Sequence, residues 1–192
     1  MEEILIQTNA AKLTDEQFFQ LCVENKGIRF ERDKNKNIII MAPTGGDTSN
    51  SNIKLGTDLE IWNRKNKLGY CFESNGGFTL PNGAIHAADV AWIPKEKWEA
   101  VSKDDREKFA HICPDFVIEL MSKSDSLKRS IGKMEEWMEN GSRLGFLIDP
   151  NTRTTHVYLP NQEATIHPFT ETIMGGDVLP GFELKLSDII AE

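Results

Sequence analysis

An α/β domain with a central mixed β-sheet flanked by helices is the fold this sequence predicts. Two observations carry that expectation. The middle of the chain reads as several strands followed by strand, helix, strand, an order that suits helices packed on a sheet. In addition, the segment DFVIEL (115–120) places residues 115, 117 and 119 on one face and 116, 118 and 120 on the other. Apart from its acids both faces are apolar, which marks a central strand covered on both sides. At 192 residues the chain is long enough for a core that needs no disulfide or metal staple. No repeat, low-complexity tract or Pro/Gly-rich linker divides it, so residues 1–192 are read as one domain.

Taken in order, LTDEQFFQLCVENKG opens with a capping box, Thr14 with Gln17, and a staple of Leu13 on Phe18, and Gly27 is expected to close that helix. IRFERDKNKNIIIMAP reads as a β-hairpin around Lys34–Asn37. A loop at GGD precedes a second helix, with Ile53, Leu55, Leu59 and Trp62 near helical spacing and Gly69 at its end. Strands are expected near 70–74, 77–80 and 86–93, separated by the turn signals Asn75-Gly76 and Asn82-Gly83. KEKWEAVSKDDREKFA is a charged turn or helix, and PDFVIELMS is a strand. SDSLKRSIGKMEEWMENG is a helix with Ser124, Asp125 or Ser126 as cap and Gly141 at its end. RLGFLIDP and THVYLP are strands, and VLPGFELKLSDII is a strand or turn ending in an apolar segment.

Composition narrows the function. The chain is 39% hydrophobic and 27% charged, as expected of a soluble globular protein. Its net charge of −8 argues against a general nucleic-acid coat protein, but not against a nucleic-acid enzyme with local positive charge or a metal-mediated contact. Cys22, Cys71 and Cys113 are odd in number and lack a CxxC pair, so they read as reduced thiols. No apolar run reaches membrane length, and MEEILIQTNAAKL lacks a signal pattern, so a cytoplasmic setting is expected.

The chemistry concentrates on two acids in apolar strands. Asp89 precedes Val90, Ala91, Trp92 and Ile93, and Glu119 lies between Ile118 and Leu120. A buried carboxylate is costly unless paired, protonated or bound to a metal. All three answers are open for Glu119. A metal becomes attractive if Asp89 converges on the same point, and an oxygen site of that kind suits magnesium or manganese. In the helix that follows, Leu127, Ile131, Met134 and Met138 form the core stripe, with Lys128 nearer to it and Lys133 on the opposite flank beside Trp137. By pattern alone each lysine reads as a solvated surface group. Two acids and a lysine around a divalent metal would suit phosphodiester hydrolysis.

The string PDFVIELMSKSDSLKRSIGKMEEWMENGSRLGFLIDPNTRTTHVYLP resembles the Uma-type family of bacterial putative restriction endonucleases, within the PD-(D/E)XK nuclease superfamily. RFERDKNKNIIIMAPTGGDTSNSN, the Trp62-Asn63 helix, GGFTLPNGAIHAADVAWI and LPGFELKLSDII match in the same order, so the resemblance runs from about Leu13 to Ile190. It implies a restriction-endonuclease-like sheet flanked by helices, with magnesium or manganese on two adjacent strands, DNA as substrate and a homodimer. The family's motif acids fall on Asp89 and Glu119. Met121 occupies the usual lysine place, and the resemblance moves that lysine onto Lys133, four residues before Trp137, with Lys128 as runner-up. Glu31 matches a further family acid, and the backbone carbonyl of Leu120 is implied as an extra metal ligand. Ala88, Lys123 and the hairpin turn depart from the family pattern without removing a site group. The rival expectation is a catalytically silent binding or assembly module on the same fold, with the acids satisfied by Lys133, Lys128 or an arginine.

Other residues read more simply. His86, three residues before Asp89, is placed to point into the site but better suits a surface or hydrogen-bonded strand position, and His111 with Cys113 lacks a second pair for a metal. Ser122, Ser124 and Ser126 read as caps, Asp149-Pro150 as a turn, and the four tryptophans as core or interface residues.

Overall fold

The computed structural model describes residues 4–7 and 12–190. Its elements in chain order are β1 (Ile4–Ile6), α1 (Asp15–Glu24), β2 (Arg29–Arg32), β3 (Ile38–Met41), α2 (Gly46–Asn66), β4 (Gly69–Glu73), β5 (Phe78–Thr79), β6 (Ile85–His86), β7 (Val90–Pro94), α3 (Lys95–Glu99), α4 (Lys103–Arg106), β8 (Phe116–Leu120), α5 (Leu127–Glu139), β9 (Leu144–Asp149), β10 (Thr154–Tyr158), β11 (Thr165–Pro168), β12 (Thr172–Met174) and β13 (Glu183–Lys185). They form a six-stranded sheet in the order β11-β10-β9-β8-β7-β4, a five-stranded sheet in the order β1-β3-β2-β6-β5, and the pair β12-β13.

The six-stranded sheet is mixed. β8 runs antiparallel to β7 and parallel to β9, and α5 makes the crossover that a parallel pair requires. Alternation along β8 divides the core. Phe116 and Ile118 pack with Phe146 against Leu55, Leu59 and Trp62 of α2. Val117 packs with Ala91, Ile93 and Leu147 against Met134 and Trp137 of α5. Each fully buried aromatic or aliphatic side chain there contributes about 1.5–3 kcal/mol. Helices thus cover both faces, which explains why β8 has no exposed residue.

Local chemistry sets most element ends. The α1 capping box forms, with Thr14 N–H donating to Gln17 Oε1 at 2.9 Å and Gln17 N–H to Thr14 Oγ1 at 3.2 Å. Two expected stops are displaced. α1 ends before Gly27, because Asn25 caps it and its side chain donates to Leu21 O at 2.8 Å. α2 ends at a left-handed Lys67 rather than at Gly69. Gly69 is needed for a close approach instead: a Cβ there would lie 2.2 Å from Ile93 O. Gly141 takes φ 113° after α5, as expected. Among the described residues, no helix is long and apolar enough to cross a membrane.

One further difference shapes the site. The single strand expected at 86–93 is two strands, β6 in the five-stranded sheet and β7 in the six-stranded sheet. The chain leaves one sheet and enters the other across Ala87, Ala88 and Asp89. Hydrogen bonds from other strands hold the backbone and the carboxylate in that gap. Ala87 N–H donates to Glu31 Oε1 at 3.2 Å, and Asp89 Oδ2 accepts from Leu120 N–H at 2.8 Å.

Candidate active site

Glu119 enters the site from β8, on the strand face turned toward α5. Trp137 Nε1 donates to its Oε1 at 2.8 Å, and Lys133 Nζ lies 3.0 Å from the same oxygen. Lys133 and Trp137 are four residues apart and so share one helical face. That face is the buried one. Met134 and Trp137 are fully buried, whereas Leu127, expected in the core stripe, is 37% exposed. The rest of the stripe, Ile131, Met134 and Met138, packs in the core as expected, and Lys133 and Trp137 join it on the flank above Glu119. Lys133 also donates to Glu31 Oε1 and to Ala87 O, each at 3.1 Å. An ammonium has three hydrogens, and all three are engaged. Lys128 is exposed on the opposite side and stands outside the site.

Asp89 arrives at the head of β7, beside Glu119 on the neighbouring strand. Asn52 Nδ2 of α2 donates to its Oδ1 at 2.9 Å, so each Asp89 oxygen is held by one donor. Leu120, implied as a carbonyl ligand, lines the same cleft and presents its N–H to Asp89. Glu31 comes from β2 of the other sheet. Its Oε2 meets His86 Nδ1 at 2.8 Å, and His86 Nε2 meets Glu136 Oε2 of α5 at 2.8 Å. The structure therefore brings Glu31, Asp89, Glu119 and Lys133 together, from four elements in two sheets and a helix.

The charges do not balance locally. Burial pushes Glu119 up to about 7; Lys133 opposes the rise, while the charges of Asp89 and Glu31 add to it. Burial also raises Asp89, against the Leu120 N–H, Lys133 and Asn52. Burial would raise Glu31 as well, but Lys133 and His86 hold its carboxyl well below the usual carboxylate range. Burial works against a protonated His86, yet Glu31 and Glu136 carry it up to about 9. Burial likewise works against the Lys133 ammonium, and Glu119, Glu31 and Asp89 together raise it. One lysine is shared among three buried acids, so Glu119 receives only part of its charge.

His86 is the hydrogen-bonded strand histidine expected, but its partners tie it to the site through Glu31. Glu136 and Asn52 carry no signal that the sequence reading used. Glu136 is three residues past Lys133 and so on a neighbouring helical row, a spacing that could have raised it; Asn52 is separated from Asp89 by 37 positions. His111 instead bonds Asp105 and Asp15, away from the site. Among the described residues, no group of three or more His, Cys, Asp or Glu is arranged to hold a metal.

The four residues line a cleft of about 910 Å³ that also takes in Arg29, Lys123, Arg129 and the turn 122–126 before α5. A family model described as Uma2, putative restriction endonuclease, matches residues 15–187. A crystal structure from Anabaena variabilis, described as a putative nuclease belonging to DUF820, shares 19% sequence identity with this chain at a TM-score of 0.75. The match covers 93% of this chain and 97% of that one, and it shows a common fold. No curated protein matches the chain.

Proposed function

The chain belongs to the Uma2 family of putative restriction endonucleases, and we propose that it is a metal-dependent nuclease hydrolysing DNA phosphodiester bonds. The observation that carries this reading is that Glu119 and Glu31 share one lysine, with the buried Asp89 beside them on the adjacent strand, at the wall of one cleft. The donor set fits a hard divalent cation: two carboxylates on adjacent strands, both raised above their ordinary range chiefly by burial. Magnesium usually keeps several waters and takes only one or two carboxylates, so a full protein cage is not required.

In this reading Asp89 and Glu119, with the Leu120 carbonyl, hold magnesium or manganese. The cation, when bound, polarises a phosphate oxygen and lowers the pKa of water. Glu31 and Ala87 O keep Lys133 at the cleft floor while Trp137 keeps Glu119 in its rotamer. Lys133, at the cleft wall, would orient the attacking water or stabilise the developing charge. Arg29, Lys123 and Arg129 line the same cleft and would place positive charge near flanking phosphates. The homodimer implied by the resemblance and the cytoplasmic setting expected from the sequence pattern belong to this proposal, and sedimentation of the purified chain tests the first.

One observation favours a second reading, the silent module. Lys133 satisfies all its hydrogens inside the protein, which is what a structural ion pair would do. The two readings part on one experiment. Manganese is titrated calorimetrically into chelator-treated wild type, Asp89→Ala and Glu119→Ala, and the same proteins are incubated with plasmid and linear DNA. The nuclease reading expects wild-type binding and magnesium-dependent cleavage, both lost in the variants. Folded wild type that neither binds manganese nor cuts DNA would leave the module.

A further inference from the structure

Asn52 sits in the seventh position of α2, inside the helix, where asparagine is a poor helix former because its amide competes with the backbone. Its Nδ2 donates to Asp89 Oδ1 at 2.9 Å. Its Oδ1 is buried and has no hydrogen-bond partner among the described residues. The amide cannot reverse to relieve this, because the oxygen would then face a carboxylate oxygen with no hydrogen between them. A buried acceptor left unpaired is destabilising, so an apolar residue would serve α2 better on structural grounds alone. The unpaired oxygen belongs to a side chain bonded to one of the two acids of the cation site, and amide oxygen is a donor of the same hard class as carboxylate.

We propose that Asn52 is a positioning residue of that site. Its N–H holds Asp89 in the orientation set on the other side by the Leu120 N–H, and its amide oxygen accepts a hydrogen from water carried by the divalent cation. The inference rests on the metal-dependent reading above. Groups at this remove from a cation orient its direct ligands, and their loss commonly weakens metal binding by about 10–100-fold.

The test is a calorimetric manganese titration of the full chain as wild type, Asn52→Leu and Asn52→Ser, with circular dichroism and a thermal melt of each protein without metal. Leucine matches the shape and lacks both polar groups; serine is too short to span to Asp89, and it is read in the same way should Asn52→Leu fail to fold. The expected result is a manganese Kd raised about tenfold or more in the folded variants, with unchanged secondary structure. A purely structural asparagine would move the melting temperature and leave the Kd of the folded protein within twofold of wild type, and that outcome overturns the proposal while the cation site stands. A folded wild type that takes up no manganese overturns the site and this inference together.

Discussion

Asp15 and Glu119 are both carboxylates tied to basic residues across the fold, and they stand in opposite electrical positions. Asp15 lies at the start of α1 and is partly exposed. Arg32 at 2.5 Å, Lys36 at 3.1 Å and His111 at 3.3 Å all reach it. Burial pushes its carboxyl up, but those three partners hold it well below the usual carboxylate range. Glu119 is buried, has one cationic neighbour, and shares that neighbour with Glu31 near the further charge of Asp89. A carboxylate with surplus cations is a fastener, here joining α1 to β2 and the hairpin turn. A buried group of acids with few cations beside it is costly, and the proposed function has a divalent ion add positive charge there.

The contrast can be broken most sharply at Lys133. Lys133→Met is expected to lower any metal-dependent DNA cleavage by about 10²–10³-fold, the usual cost of removing one charge-stabilising donor. It should leave manganese affinity unchanged or tighter, since a competing cation is gone. Weaker manganese binding in this variant would show the lysine supporting the site's shape and not competing for its acids.

A pH series sharpens the same point through His86. Its pKa is raised from 6.5 to about 9, so its contribution to stability is full below pH 6.5 and is lost as pH rises through 9. The stability gap between wild type and His86→Gln should therefore shrink by about 3 kcal/mol across that window, at about 1.4 kcal/mol per unit. Chemical denaturation at pH 6 and pH 9.5 measures it. A gap that stays constant or widens would mean that His86 is neutral between Glu31 and Glu136.

Saturating the acids should stabilise the fold. Manganese at about 100 times its Kd is expected to add about 2.7 kcal/mol to wild type and nothing to Asp89→Ala, read as a melting shift reversed by chelator. Asp15→Asn should do the reverse of the site variants. It costs about 1–2 kcal/mol, discounted because Asp15 is 40% exposed, and it leaves manganese affinity untouched. A change in metal binding there would couple the two regions through β2, where Arg32 follows Glu31.

The legible and illegible parts of this protein divide along range. The mixed sheet with helices on both faces follows from the doubly apolar strand at 116–120 and the helix after it, because periodicity is a local property. The α1 capping box and the hairpin are local for the same reason. So is the anomaly of Glu119, an acid within an apolar run, which identifies a site without saying what fills it. Local pattern misled where a neighbour outweighed it. The apolar stripe of α5 holds at Ile131, Met134 and Met138 but not at Leu127, and it gives no hint that Lys133 and Trp137 turn inward to Glu119. Gly27 and Gly69 look like stops, but Asn25 and Lys67 end those helices.

The sequence by itself determined the α/β class, the strand that carries Glu119, and the candidates Asp89 and Glu119, since burial of an apolar run and its alternation require no knowledge of the partner. Family resemblance picked out Lys133, which spacing alone assigns to the surface. Only the tertiary structure decided that the chain breaks between His86 and Asp89, so that one segment serves two sheets. It also decided that Glu31 reaches across 102 positions to Lys133, and that Asn52, Glu136 and His86 close around the acids. Those contacts join residues far apart in the chain, and their energies depend on a low-dielectric interior that exists only once the sheets have packed.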